Sequence, residues 1–139
     1  MHHMLDTDVC IALIRGRPEA LRRRMLAHPP RSPGVSTITV SELRYGAAKS
    51  DDPARNGRAL DAFLLGLEVA PFDQAAAGRY GEVRADLEHR GQPIGSMDLR
   101  IAAHALSLGV ILVTHNLREF TRVQGLRLTD WLADADGTE

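Results

Sequence analysis

Residues 109–116 read Gly-Val-Ile-Leu-Val-Thr-His-Asn. Four consecutive apolar residues, three of them β-branched, are typical of a strand that is covered on both faces, as in a parallel sheet. Gly109 is suited to end a preceding helix, and Thr114 marks the end of the strand. This is the strongest strand signal in the chain, and it predicts a fold built around a parallel sheet.

Weaker strands and amphipathic segments alternate along the rest of the chain. We expect further strands at residues 4–5, 35–38, 69–72 and 126–128, of which the last two have the weakest signal. Helical spacing of apolar residues is found at 9–14, 18–26, 40–48, 60–67, 73–89 and 98–108, and a short helical turn at 117–120. This alternation predicts an α/β fold, a three-layer α/β/α sandwich with a central, mainly parallel sheet.

The composition is that of one ordinary globular domain. The chain has 139 residues, 44% of them hydrophobic and 25% charged, which excludes the disordered and disulfide-scaffold classes. We expect residues 1–133 to form a single domain and residues 134–139 to form a frayed acidic tail. A net charge of −1 also argues against a protein that binds nucleic acid by bulk positive charge.

Nothing in the sequence predicts contact with a membrane. No segment approaches the roughly 20 consecutive apolar residues that span a bilayer. The first residues also lack a basic stretch followed by an apolar run, so no secretory signal is predicted. We therefore expect a cytoplasmic protein.

Three groups of acidic or polar residues are expected to meet at one edge of the sheet. Asp6 and Asp98 lie at or near the carboxyl ends of predicted strands, and so does the polar segment 114–119. Reactive groups collect at this edge in open parallel sheets. Glu42 reaches the same edge if its helix starts at the carboxyl end of the strand at 35–38.

Carboxylates packed together repel one another, so a cluster of them is stable only with a cation between them. Oxygen ligands favour Mg²⁺, with Mn²⁺ as a substitute. The lone Cys10 and the six histidines form no spacing of the zinc type. The cluster therefore predicts metal-assisted hydrolysis of a phosphodiester bond, in which the cation activates a water molecule and neutralises the leaving oxygen.

Each residue of the predicted site receives a role. Asp6 and Asp98 are expected to be metal ligands, Glu42 a ligand or the base for the attacking water, and Asn116 the group that orients a metal-bound water. Taken singly, each also has a structural explanation. Asp98 would be a helix N-cap and Glu42 part of a solvated helix face. Only their joint placement favours the catalytic interpretation.

Five local motifs resemble the VapC-type toxins of the PIN-domain ribonuclease family, and they follow one another in order over nearly the whole chain. The motifs are MLDT at 4–7, SELRYG at 41–46, PIGSMDL at 93–99, IAAHA at 101–105 and LVTHN at 112–116. The resemblance implies a PIN fold, a Mg²⁺ or Mn²⁺ site and endonucleolytic cleavage of RNA, often tRNA or rRNA.

The resemblance assigns the family's first three acidic positions to Asp6, Glu42 and Asp98. The fourth acidic position of many members falls on Asn116, whose amide supplies no negative charge. Glu119 is near enough in sequence to substitute for it. Asp8 also departs from the asparagine that is common after the Asp-Thr pair, and it adds a negative charge near the predicted cation.

The resemblance also implies two kinds of protein partner. Members of this type usually form homodimers, and a small antitoxin of the VapB type holds them inactive in a type II toxin–antitoxin system. The apolar face of the helical hairpin at residues 40–67 is a candidate for either contact. An ordinary core face explains the same apolar pattern equally well.

Two other functions remain open at this point. Asp6-Thr7-Asp8 after a first strand also fits a phosphatase that forms an aspartyl-phosphate, although such enzymes need a lysine at the phosphate and Lys49 is the only one in the chain. The second alternative is a PIN-like module that binds RNA or protein without catalysis. Asn116 in place of an acid motivates this alternative, and the three intact acids argue against it.

Overall fold

A computed structural model describes residues 1–135 and contains a central sheet of five strands. Every neighbouring pair is parallel, and the strand order is β3-β2-β1-β4-β5. The predicted α/β fold with a mainly parallel sheet is therefore confirmed. The strands are β1 (His3–Leu5), β2 (Pro33–Ser36), β3 (Glu68–Ala70), β4 (Ile111–Val113) and β5 (Leu128–Thr129).

Helices connect the strands and cover the sheet on both sides. Asp6, Ser36, Asp52 and Asp73 accept backbone N–H bonds at the starts of four of them, and this satisfies donors that have no partner inside the helix. The helices of the described chain are α1 (Thr7–Arg15), α2 (Glu19–Leu26), α3 (Thr37–Ala48), α4 (Pro53–Leu65), α5 (Gln74–His89), α6 (Ser96–Leu108), α7 (Leu117–Phe120) and α8 (Trp131–Ala135).

Successive residues of the central strands point to opposite faces of the sheet, which produces two separate cores. Met4 and Leu112 belong to one core, with apolar residues from α5, α6 and α7. Leu5 and Val113 belong to the other, with residues from α1 to α4 and Trp131. This is the three-layer sandwich that the sequence predicts.

Several element boundaries differ from the predicted ones. The strand predicted at 35–38 ends at Ser36, because the Ser36 hydroxyl accepts the Ile38 N–H at 3.0 Å and caps a helix that starts at Thr37. The two weak strands lie at Glu68–Ala70 and Leu128–Thr129, shifted by one or two residues from their predicted positions.

The end of the predicted domain is partly described. Trp131 is buried in the second core and begins helix α8, which extends to Ala135 and so into the predicted tail. Residues 136–139 lie outside the described part of the chain. Within residues 1–135, none of the helices has the length and apolar character needed to cross a membrane.

The central strand β4 provides a test of the fold. Leu112 is 0% exposed, and we expect Leu112→Ala to lower the free energy of unfolding by about 2–5 kcal/mol, because it leaves a cavity in the first core. Leu65→Ala is the matched control: Leu65 is 82% exposed, so its loss should change stability by less than about 0.5 kcal/mol. Urea unfolding measures both. Equal losses would contradict the described packing.

Candidate active site

Asp6 sits at the junction of β1 and α1, at the centre of the sheet. Its backbone N–H donates to the Val113 carbonyl at 2.9 Å, and its side chain is almost completely buried. The Thr114 hydroxyl donates to Asp6 Oδ2 at 2.8 Å, and the Thr7 N–H donates to Oδ1 at 2.8 Å. Burial raises the pKa of Asp6, although these two hydrogen bonds act in the opposite direction.

Asp98 is the third residue of α6, whose N-cap is Gly95. The interpretation of Asp98 as the residue that opens and caps this helix is therefore wrong. Its half-buried carboxyl group lies among other acids. Burial, followed by the negative charges of Asp6, Glu119 and Asp8, raises the pKa of Asp98 to about 6.

Asn116 and Glu119 complete this group of side chains from the start of α7. The Asn116 amide donates to Asp98 Oδ2 at 3.4 Å and to Glu119 Oε2 at 3.2 Å. The Gly95 backbone N–H donates to Glu119 Oε1 at 2.8 Å, and this bond and the Asn116 amide lower the pKa of Glu119. The negative charge of Glu119 is also close enough to raise the pKa of Asp98.

Glu42 stands apart from this group. It lies in the second turn of α3, is half-buried, and lines a cleft of about 650 Å³ with Thr7 and Asp8. The Thr7 hydroxyl donates to the Thr39 hydroxyl at 3.2 Å, and this bond links α1 to α3. The structure brings Asp6, Asp98 and Asn116 together, and it places Glu42 in the cleft that Asp8 also lines.

The carboxylates around Asp98 are the candidate ligands for a cation. Among the described residues, no three Asp, Glu, His or Cys side chains already stand in the geometry that holds a metal ion. The chemistry of the donors nevertheless fits a hard divalent cation, because all of them are carboxylates and their repulsion is visible in the raised pKa of Asp98. Asp6 and Glu119 are near enough to Asp98 for their negative charges to raise its pKa, and Glu42 lines the adjoining cleft.

Two contacts in the site are not predicted by the sequence. Thr114 follows the end of β4 as predicted, and in addition its hydroxyl holds the carboxylate of Asp6. Its position directly after the strongest strand was the available signal. The Gly95 N–H that binds Glu119 had no sequence signal, since a backbone donor leaves no trace in residue type.

The position of Lys49 argues against the phosphatase alternative. The Lys49 ammonium lies 4.8 Å from the centroid of the Tyr45 ring at the end of α3. Among the described residues it makes no hydrogen bond or ion pair with Asp6. Lys49 lines the cleft with Asp8, but within residues 1–135 it is not held beside Asp6, where an aspartate nucleophile would need it.

Comparison with known proteins gives a consistent assignment. The PIN domain family model matches residues 3–126. The chain is 45% identical over 128 residues to a tRNA(fMet)-specific endonuclease VapC of Salmonella typhimurium, covering 92% of this chain and 96% of the relative. It is 42% identical over 132 residues to ribonuclease VapC2 of Haemophilus influenzae, covering 95% and 99%.

A solved structure agrees with these relatives. The structure of DNA-bound VapBC from Salmonella typhimurium contains a chain that is 44% identical to this one and superimposes with a TM-score of 0.90, over 94% of this chain and 98% of the other. The family match spans most of the chain, and the identities extend over nearly all of it. This chain therefore belongs to the PIN domain family, among its VapC-type ribonucleases.

Proposed function

We propose that this protein is the toxin of a type II toxin–antitoxin system, an Mg²⁺-dependent endoribonuclease that hydrolyses a phosphodiester bond of RNA at Asp6, Asp98 and Glu42. The observation that carries the proposal is the gathering of acids at one edge of the sheet, where Asn116 donates to both Asp98 and Glu119, and where burial and the surrounding carboxylates raise the pKa of Asp98. A site that concentrates negative charge in this way attracts a divalent cation.

The proposed metal ligands are Asp6, Asp98 and Glu42, with Mn²⁺ able to replace Mg²⁺. A bound divalent cation would lower the pKa of a water molecule and neutralise the leaving oxygen. The Thr114 hydroxyl and the Thr7 N–H orient the carboxylate of Asp6. The carboxylate of Glu42, across the cleft, is proposed to accept the proton of the attacking water when it does not serve as a ligand.

Asn116 and Glu119 are together proposed to take the place of a fourth acid. Glu119 supplies the negative charge, and the low pKa that its hydrogen bonds from Gly95 and Asn116 produce supports this role. Asn116 is proposed to orient a water molecule and to hold the carboxylates of Asp98 and Glu119 at a fixed separation. The non-catalytic alternative, which rests on Asn116 in place of an acid, is weakened because a carboxylate lies next to it.

A tRNA is the proposed substrate. The relative from Salmonella typhimurium is named a tRNA(fMet)-specific endonuclease, and identity with it extends over nearly the whole chain. The activity would therefore act in the cytoplasm, where tRNA is found. The particular tRNA and the bond that is cut depend on loop shape at the cleft.

A VapB-type antitoxin and a second copy of the chain are the proposed protein partners. The structural relative from Salmonella typhimurium is a VapBC complex. The apolar face of the hairpin at 40–67 is largely internal, since Leu43 and Leu60 belong to the second core. Two large residues of the same helices, Tyr45 and Leu65, are exposed. Tyr45 also lines the cleft that contains Glu42, so this cleft is the proposed antitoxin contact.

Cleavage of RNA tests the proposal directly. We expect purified protein to cut unfractionated bacterial tRNA at discrete positions with Mg²⁺ or Mn²⁺ and to leave it intact in EDTA. Asp98→Asn should lower the rate by about 100-fold or more, because it removes a charged ligand. The cleavage products are resolved on a sequencing gel.

Asp61→Asn serves as the matched control for charge. Asp61 pairs with Arg44 at the exposed surface, away from the acids, so this variant should retain full activity. If the wild-type protein binds tRNA but cuts none with either metal, the binding module becomes the better interpretation. If Asp98→Asn cuts as fast as the wild type, the assigned site is wrong.

Thermal unfolding tests the site without relying on activity. In EDTA, folded Asp98 has a pKa of about 6 against an ordinary value of 3.8, so between these pH values the folded state retains a proton that the unfolded state releases. The contribution of Asp98 to stability is therefore present below about pH 4 and is lost as pH rises to about 7. We expect Asp98→Asn to gain stability relative to the wild type between pH 5 and about 7.5.

Added Mn²⁺ should reduce this difference in stability. At pH 7.5 and about ten times its Kd, Mn²⁺ should raise the Tm of the wild type by about 5 °C, because it binds the folded state and relieves the repulsion. It should leave the Tm of Asp98→Asn nearly unchanged. Equal shifts in the two proteins would show that the cation binds elsewhere.

A further inference from the structure

A second pocket lies beside the acids, between α5 and the start of α6. It is a cavity of about 220 Å³, the size of one ring system rather than of a large ligand. Ser96, Leu99 and Arg100 line it from α6, the helix that carries Asp98. Residues two apart on a helix point to different faces, so this cavity opens next to the acid cluster and not inside it.

One aromatic ring and two guanidinium groups form the polar part of this pocket. The guanidinium of Arg100 lies 5.0 Å from the centroid of the Tyr80 ring. Arg84 donates from Nη1 to the Tyr80 hydroxyl at 3.0 Å and from Nε to Glu88 Oε2 at 2.9 Å. Tyr80 is therefore held in place from two sides.

Of the two arginines that line this cavity, Arg100 is the one whose charge is available to bind a phosphate. Glu88 offsets the charge of Arg84. Arg100 donates to the backbone oxygen of Ser96 at 3.1 Å and to the Ser96 hydroxyl, and among the described residues no carboxylate pairs with it. These bonds to its own helix are easily exchanged for a phosphate, which a guanidinium binds through two parallel N–H groups.

We propose that this cavity is an RNA subsite, in which a nucleobase next to the scissile bond takes the place of the Arg100 guanidinium over the Tyr80 ring and the adjoining phosphate binds the displaced Arg100. An aromatic platform with flanking arginines is the general means of binding unstacked single-stranded bases. A strand that crosses the N-terminal end of α6 would contact both this cavity and Asp98. The inference rests on the proposed function, since it takes RNA as the substrate.

Binding of a fluorescein-labelled unstructured oligoribonucleotide, measured by anisotropy in EDTA, separates the two roles. Tyr80→Leu should weaken binding about tenfold with no change in its salt dependence, and Tyr80→Phe should bind normally because the ring remains. Arg100→Ala should also weaken binding about tenfold and reduce the slope of log K against log salt by about 0.7, since one phosphate contact is lost. Arg100→Lys should restore that slope.

Arg79→Ala is the matched control. Arg79 lies on the same helix as Tyr80, pairs with Glu82 at the exposed surface and does not line the cavity, so its removal should leave affinity within about twofold. In the tRNA cleavage assay, Tyr80→Leu and Arg100→Ala should raise KM by about tenfold and leave kcat nearly unchanged.

The outcomes separate the subsite from the nuclease function. If the wild type cuts tRNA and both cavity variants bind and cut RNA like Arg79→Ala, the subsite is refuted and the nuclease function stands. If the wild type binds RNA through Tyr80 and Arg100 but cuts none, the subsite stands and the nuclease function fails. If the variants bind RNA normally but lose self-association or antitoxin binding, the cavity is a protein contact and the proposal is overturned.

Discussion

The parallel pairing of β1 with β4 determines where the acids meet. Leu5 and Val113 are partners in this register, and the Asp6 N–H continues the pairing by donating to the Val113 carbonyl. As a result, Asp6 and Thr114 leave the sheet side by side, and the Thr114 hydroxyl holds the carboxylate of Asp6. If one of these strands shifted by one residue, its side chains would turn to the other face of the sheet. Asp6 and Thr114 would then no longer meet, and the site would be lost.

The folded chain stores electrostatic repulsion at this edge. Burial of Asp6 and the closeness of Asp8 and Glu119 disfavour further negative charge, and Asp98 responds with a raised pKa. Hydrogen bonds from Thr7, Thr114 and Gly95 compensate only part of this cost. The repulsion is therefore best relieved by a cation, which links the stability of the fold to the chemistry that the site performs.

Helix α6 carries residues proposed for catalysis and for RNA binding. Asp98 faces the acids, while Arg100 faces the cavity with Tyr80, and both occupy the first two turns of one buried helix. Side chains on a packed helix are held at a more constant separation than side chains on a loop. An RNA strand with one base at Tyr80 and the adjoining phosphate at Arg100 would therefore present its scissile phosphate to Asp98 in a defined position.

The sequence by itself determined the elements and the acids. The apolar run at 110–113 predicted the buried strand, helical spacing predicted the layers, and the strand end before Asp6 predicted its place, because such patterns depend on local periodicity. The expectation that Asp98 also lies near a strand end is wrong, since its helix α6 follows helix α5. Only the tertiary structure decided that Glu119 lies close enough to raise the pKa of Asp98, and that Tyr80 meets Arg100. These contacts join residues from different elements, and one of them uses the backbone N–H of Gly95, 24 residues from its partner. Residue type and spacing carry no record of such a donor, since every residue except proline has one.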